Sequence, residues 1–190
     1  VRSYLPDGHD LRVFPDGSYA LIGATEIALD MQQFVKGGNT NANVVGGLIQ
    51  LFDKDDNIIF QWRGIDHFDV MDAQHVNFLA PSIDFEHCNS IEFERPQAHS
   101  VEEAGNLIIS SRHMSEITKI DATSGRILWR FGGKHNAFRL FGDSLWFSWQ
   151  HDVRLLPNGH LTLFDNANFD TVPSAAGYTH QSRALEYELD

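Results

Sequence analysis

Residues 9–22 read His9-Asp10-Leu11-Arg12-Val13-Phe14-Pro15-Asp16-Gly17-Ser18-Tyr19-Ala20-Leu21-Ile22, and residues 151–164 read His151-Asp152-Val153-Arg154-Leu155-Leu156-Pro157-Asn158-Gly159-His160-Leu161-Thr162-Leu163-Phe164. Both follow one pattern: His-Asp-x-Arg-x-x-Pro, then Asp or Asn, then Gly, then an alternating apolar run. In each copy the Pro fixes φ at one turn position and the Gly tolerates a positive φ at another, so two short β-type runs are joined as a hairpin. A looser copy opens at His87-Cys88-Asn89-Ser90-Ile91-Glu92, is interrupted by an insertion around 93–102, and resumes at Gly105-Asn106-Leu107-Ile108-Ile109-Ser110. Repetition of this kind dominates any reading of the fold, because each repeated unit buries its apolar face only against a neighbour.

A second hairpin follows in the first two units. One joins Gly47–Phe52 to Ile58–Trp62 through Asp53-Lys54-Asp55-Asp56-Asn57, and the other joins Ile117–Ile120 to Arg126–Trp129 through Asp121-Ala122-Thr123-Ser124-Gly125. No segment carries a sustained 3.6-residue apolar period of helical length, although Ala24–Phe34 is open between strand and helix. A nearly all-β chain is predicted. Four antiparallel strands per unit, with Gly at the joints and Trp62 or Trp129 near the end of the fourth strand, predict a β-propeller of four-stranded antiparallel blades, with a sandwich as the alternative. The blade-like units run over 8–66, 84–134 and 150–190 of a single domain, 1–190. Residues 182–190 read as the third strand of the last unit. Closed rings take about 4 to 8 blades, so the chain is expected to supply between two and three blades of a larger propeller, or to self-associate through its edge strands.

With 190 residues, 42% hydrophobic and 21% charged, the composition is that of a globular domain. A mean hydropathy of −0.27, with no apolar run near the ~18 residues of a bilayer span, excludes a transmembrane helix and predicts a soluble chain. Fourteen Lys and Arg against 26 Asp and Glu give a net charge of −12. That field repels phosphate backbones and anionic headgroups, so neither nucleic acid nor a membrane surface is an expected partner. The single Cys88 excludes an internal disulfide, a thiolate zinc cluster and a CxxC redox pair. An opening at Val1, without methionine or a signal-like apolar segment, reads as a processed product or a piece of a longer chain.

Several familiar sites fail on spacing. Gly132-Gly133-Lys134 ends like a phosphate loop, but Leu128 stands where the first glycine belongs and His135 where Ser or Thr belongs. Asp53-Lys54-Asp55-Asp56-Asn57 begins like a calcium loop, but Ile58 and Gly64 occupy its sixth and twelfth positions. Neither HExxH nor GxSxG occurs. What remains is histidine, ten in all. His9, His87 and His151 each start a repeat, and residues at one repeat position of successive blades converge on a propeller's channel, so these imidazoles are expected to meet. The plainer alternative is that each merely bonds its own turn. Arg112 and Arg183 have a similar alternative as strand-edge ion pairs. Phe85, Trp146, Phe147, Trp149 and Phe164 are expected to fill the core.

Six runs occur in order: Glu86-His87-Cys88-Asn89-Ser90-Ile91; Gly105–His113; Ile120-Asp121 with Gly125–Gly133; Gln150-His151-Asp152; Phe164-Asp165-Asn166; and Ser182-Arg183. With Asp66-His67-Phe68 after Trp62, they cover nearly the whole chain and resemble the arylsulfotransferase family of β-propellers. For the bacterial enzymes of that family the resemblance implies direct sulfuryl transfer from an aryl sulfate ester to a phenol through a sulfohistidine, without a phosphoadenosine donor and outside the cytoplasm; no cofactor and no metal are expected. Carried over by motif, His87 and His151 resemble family channel histidines, and Arg183 or Arg112 the arginine that binds the sulfuryl oxygens. This makes His87, His151 and Arg183 the candidate catalytic residues and Asn89, Arg112 and Asn166 candidate substrate-binding ones, to which repeat position, not the resemblance, adds His9. The resemblance places the family's nucleophilic histidine on a later blade, beyond Asp190. Cys88 replaces a more usual apolar residue, and the 93–102 insertion is a departure from the family pattern.

These residue types suit that chemistry. A neutral imidazole attacks sulfur, cationic Arg or His stabilises charge on the sulfuryl oxygens, and a second histidine protonates the departing phenolate. The competing expectation is a non-catalytic propeller that binds a ligand or protein in its channel.

Overall fold

The computed structural model describes residues 5–142, 145–168 and 181–190. Among these residues the regular elements are strands and four single-turn 3₁₀ segments, and the strands form three sheets. In the first, β1 (Leu5–Val13), β2 (Tyr19–Leu29), β3 (Ala42–Phe52) and β4 (Ile58–Arg63) form an antiparallel meander. The second repeats that meander with β6 (Cys88–Phe93), β7 (Leu107–Ser111), β8 (Glu116–Ile120) and β9 (Ile127–Gly132). The third contains β10 (His151–Leu155), β11 (Leu161–Asp165) and β12 (Arg183–Tyr187).

One strand departs from the expected four-strand plan. β5 (Ser82–Asp84) lies parallel to β3, pairing Asn43 with Ser82 and Val45 with Asp84. β3 is longer than its partner β4, which covers only Leu48–Phe52, and β5 fills the remaining length of that edge. The ambiguous stretch from Ala24 resolves as strand up to Leu29, then a 3₁₀ turn at Met31–Gln33 whose Asp30 side chain accepts the Gln32 N–H. The 93–102 insertion folds over the first hairpin turn: Val101 N–H donates to Ser18 Oγ (2.8 Å) and Asp16 N–H to the His99 carbonyl (3.1 Å).

The middle sheet is buried on both faces. Leu107, Ile109 and Ile120 pack with Ile22, Ile49, Leu51 and Trp62 of the first sheet, while Ile108, Ile117 and Phe131 pack with Val153, Leu161 and Leu163 of the third. Double-sided burial covers every residue of β6 and β7, the polar Asn89, Ser90, Glu92, Ser110 and Ser111 included. Trp62, on the fourth strand, also donates its indole N–H to the Gly125 carbonyl of the next sheet (3.0 Å).

The first strands β1, β6 and β10 are joined by side chains. Asp10 Oδ2 accepts the Ile91 N–H and an Arg154 Nη1–H, both at 2.9 Å. Ser90 Oγ accepts the Val153 N–H (3.1 Å), and buried Glu92 takes the Leu155 N–H (3.3 Å) and Arg12 (3.1 Å). Edge N–H groups that no strand covers among the described residues are bonded here by side chains. The two copies of the His-Asp-x-Arg motif diverge here, since the Asp10 side chain is 9% exposed in this seam and that of Asp152 is 66% exposed beside its own Arg154. Asp10→Ala should therefore cost about 1–3 kcal/mol in urea unfolding, because it strands a backbone donor and a guanidinium. Asp152→Ala should cost less than about 0.5 kcal/mol.

Glu86 is fully buried between the first two sheets, where Oε2 accepts the Gly47 N–H (2.8 Å) and Oε1 the Ser111 hydroxyl (3.4 Å). It fits because residue 64 is glycine: a Cβ there would stand 1.7 Å from Oε2. Burial raises the Glu86 carboxyl from 4.5 to about 7, Asp84 and Glu116 adding to the rise and the Gly47 and Ser111 bonds opposing it. A raised folded-state value means stability that is complete below the unfolded carboxyl's range and is lost as pH climbs through the folded value. Glu86→Gln, neutral at every pH, should gain stability relative to the parent by up to about 3 kcal/mol between pH 5 and 9 in paired denaturation curves.

Candidate active site

Each of the three first strands breaks its ladder where its histidine stands. Register shifts lie between Pro6 and Leu11 in β1, between Cys88 and Ser90 in β6, and between His151 and Arg154 in β10. Such bulges re-aim side chains that a regular pleat would send to a fixed face. The three histidines do not occupy identical positions: His9 lies within β1 and His151 opens β10, but His87 precedes β6 and reaches its neighbours from a left-handed backbone (φ 52°). Trp149 (φ 54°) and Asp152 (φ 56°) flank His151 in the same conformation. Left-handed non-glycine residues of this kind cost energy and mark places where the surrounding structure imposes the geometry.

The result is a cluster of four imidazoles. Ring centroids are 5.0 Å apart for His9 and His87, 6.3 Å for His9 and His151, and 4.8 Å for His87 and His113. The Arg112 guanidinium lies 3.6 Å over the Trp149 ring, and that ring is 5.3 Å from His113. Arg112 Nη1 donates to His113 Nε2 (2.8 Å), while its Nε is buried without a hydrogen-bond partner. Guanidinium only donates, so His113 Nε2 is the accepting nitrogen and its proton sits on Nδ1, which donates to the Asp84 carbonyl (2.6 Å). His151 Nδ1 faces the Trp149 carbonyl (3.0 Å) and Asn166 Oδ1 (3.2 Å), so it too carries the Nδ1 proton.

Burial pulls His113 below the ordinary imidazole range, with Arg112 and His87 adding to the fall and the Asp84 carbonyl and charge opposing it. Burial lowers His151 in the same way, helped by Arg112 and His87 and opposed by the Asn166 and Trp149 bonds. Asp84 is pushed up by burial, but the hydrogen bond and charge of His87 and the charge of His113 outweigh this, leaving it below its ordinary value. Cys88 lies close in sequence and is chemically quiet, since burial holds its thiol far above the usual range.

Of the sequence candidates, the structure gathers His9, His87, His151 and Arg112 around this cluster and sets Asn166 against His151. Asn89 is buried, donating to the Gln150 carbonyl (2.8 Å), with its Oδ1 unpartnered. Arg183, on β12, forms an ion pair with buried Asp165 (2.8 Å), whose other oxygen accepts the Ser148 and Ala167 N–H groups. It thus braces the chain on either side of His151. Phe85 and Phe147 fill the core as expected, but Phe164 is 47% exposed opposite His151, and Trp149 serves the site. Trp149 is a correction to the core assignment: a single Trp in an aromatic run carries no sign that its backbone turns left-handed and delivers the ring beneath Arg112.

Sequence reasoning also missed Asp84 and passed over His113 as a site residue. The repeat offers no signal for either, since Asp84 comes from the unforeseen β5 and His113 from the 3₁₀ turn Arg112–Met114. Asp84, His87 and His113 hold ligand-type atoms within 4.8 Å of one another, a spacing that a divalent cation could span. The Nδ1 proton of His113 makes this trio a hydrogen-bonded set near neutral pH.

No curated protein matches the chain. The family model described as arylsulfotransferase (ASST) matches residues 1–190, its whole length. The chain belongs to the arylsulfotransferase family.

Proposed function

We propose that the histidine cluster takes part in direct sulfuryl transfer from an aryl sulfate ester to a phenolic acceptor through a sulfohistidine. Family membership supports arylsulfotransferase activity and aryl sulfate or phenol substrates at the level of the family. The observation that carries the finer reading is the meeting of His9, His87, His113 and His151 beside Arg112, a set of imidazoles next to a fixed cation.

In the first half-reaction an imidazole nitrogen attacks sulfur, an N–S bond forms, and the S–O bond to the aryl group breaks. The phenolate leaves with a proton from a neighbouring imidazolium. In the second, the acceptor phenol gives its proton to an imidazole as its oxygen attacks sulfur, and the N–S bond breaks. Arg112, with a buried Nε that has no protein partner, is placed to bond the sulfuryl oxygens, whose charge grows in the transition state. His151, kept neutral at neutral pH by burial, suits the proton-accepting role, and His87 the complementary one. Trp149 supplies an aromatic face beside them.

Three further readings go with this one. First strands lying side by side with their histidines together suit the wall of a propeller channel, so we place the chain as part of a propeller completed by further blades or a second copy. The strand edge of β12 is where such a partner would add. A compartment outside the cytoplasm follows from the family resemblance.

With the channel complete, His151→Asn should lower kcat by about 10² to 10⁴ and change stability by only the ~0.5–1.5 kcal/mol of one hydrogen bond. His9→Asn should cost less. The acid limb of the rate profile should lie below the ordinary imidazole range, because the rate falls only as His151 protonates. Intact-mass measurement after incubation with an aryl sulfate should show one sulfuryl adduct. Parental rates in both variants would overturn the assignment.

A further inference from the structure

The residue that decides which imidazole nitrogen can react is one the repeat does not contain. Asp84 ends β5, held by its register opposite Val45 and by the adjacent Phe85 N–H on the Val45 carbonyl (3.1 Å). Its carboxylate Oδ2 meets His87 Nδ1 at 2.5 Å, while its backbone carbonyl takes the Nδ1 proton of His113. An ionised carboxylate only accepts, so the proton in the first contact belongs to His87. A single residue therefore touches two imidazoles through two different groups, and the outcomes differ. The Nε2 of His113 is already engaged by Arg112. The Nε2 of His87 lies across the ring from the nitrogen that Asp84 holds.

We propose that Asp84 is the positioning residue of the cluster, fixing His87 as the Nδ1–H tautomer with Nε2 as its basic nitrogen and reserving His113 to orient Arg112. This explains why the short parallel strand β5 is inserted ahead of the second sheet: it carries the orienting carboxylate to a histidine that lies outside its own strand. The charged and titratable groups around His87 are Asp84, His113, His9 and His151, with Arg112 behind His113 and Asp7 hydrogen-bonded to His9. The catalytic purpose of this arrangement rests on the sulfuryl-transfer reading, but the tautomer itself does not, and it can be measured without any substrate.

The test is long-range ¹H–¹⁵N NMR of the whole chain near neutral pH, in the parent, Asp84→Asn and Asp84→Ala. The parent should show His87 protonated on Nδ1, with that proton far downfield because its acceptor is charged. Asp84→Asn should keep the tautomer, since the amide oxygen still accepts, but move the Nδ1 proton upfield. Asp84→Ala should shift His87 toward the Nε2–H form, while His113, held by a backbone carbonyl, keeps its Nδ1 proton in both variants. A parent His87 protonated on Nε2, or an Nδ1 proton unmoved in Asp84→Asn, would overturn the proposal. The near-isosteric Asn variant keeps the test decisive if the Ala variant does not fold. A correct tautomer in a protein whose completed channel forms no sulfuryl adduct would leave the positioning role standing and remove the sulfuryl-transfer reading instead.

Discussion

The arrangement depends on how three strand edges that no further strand covers among the described residues are kept together. Ordinary sheets satisfy such edges by adding a strand, but here Asp10, Ser90, Glu92 and Arg154 reach across and bond the backbone or charges of the next sheet. Side chains of fixed length hold β1, β6 and β10 at a fixed separation, and that separation brings histidines from three sheets within ring contact. The apolar clusters on either side of the middle sheet supply the bulk of the burial. They would tolerate sliding that the directional bonds of the seam do not.

Rigidity at the seam permits strain at the site. His87, Trp149 and Asp152 sit in a backbone conformation that residues with a Cβ seldom adopt, and the ladder of each first strand is broken beside them. The surrounding hydrogen bonds over-determine these positions. Gln150 is the clearest case: between Trp149 and His151 it is completely buried, and its amide donates to Ser110 Oγ and to the carbonyls of Ser111 and Glu116. Burial then acts on the chemistry. It lowers the basicity of His113 and His151, keeping them neutral in the range where free imidazole begins to protonate, while the adjacent guanidinium retains its charge.

Much of the strand order was legible in the sequence because it is a local matter. Pro15-Asp16-Gly17 and Pro157-Asn158-Gly159 make turns whatever surrounds them, and alternating apolar runs on either side pair with their nearest neighbours. Family membership was legible for a related reason, since six motifs in a set order form a pattern dense enough to recognise without knowing what the residues touch. The site was only half legible. His9, His87, His151 and Arg112 stood out by type and repeat position, but Asp84, His113 and Trp149 belong to a parallel strand, a 3₁₀ turn and a left-handed bend, none of which has a periodic signature.

The two copies of the His-Asp-x-Arg motif mark the boundary between what the sequence alone determined and what tertiary structure decided. By itself the sequence determined two hairpins of the same design, an acidic all-β chain and a histidine at each hairpin's start, because turn chemistry, charge and side-chain alternation are properties of neighbouring residues. It could not say that Asp10 would be buried as a tie between three strands while Asp152 stayed in water, or that Arg154 would bridge to Asp10 across the seam. Those outcomes follow from which strand edge each residue meets after the sheets pack, and packing joins positions more than a hundred residues apart that carry no mark of one another in the chain.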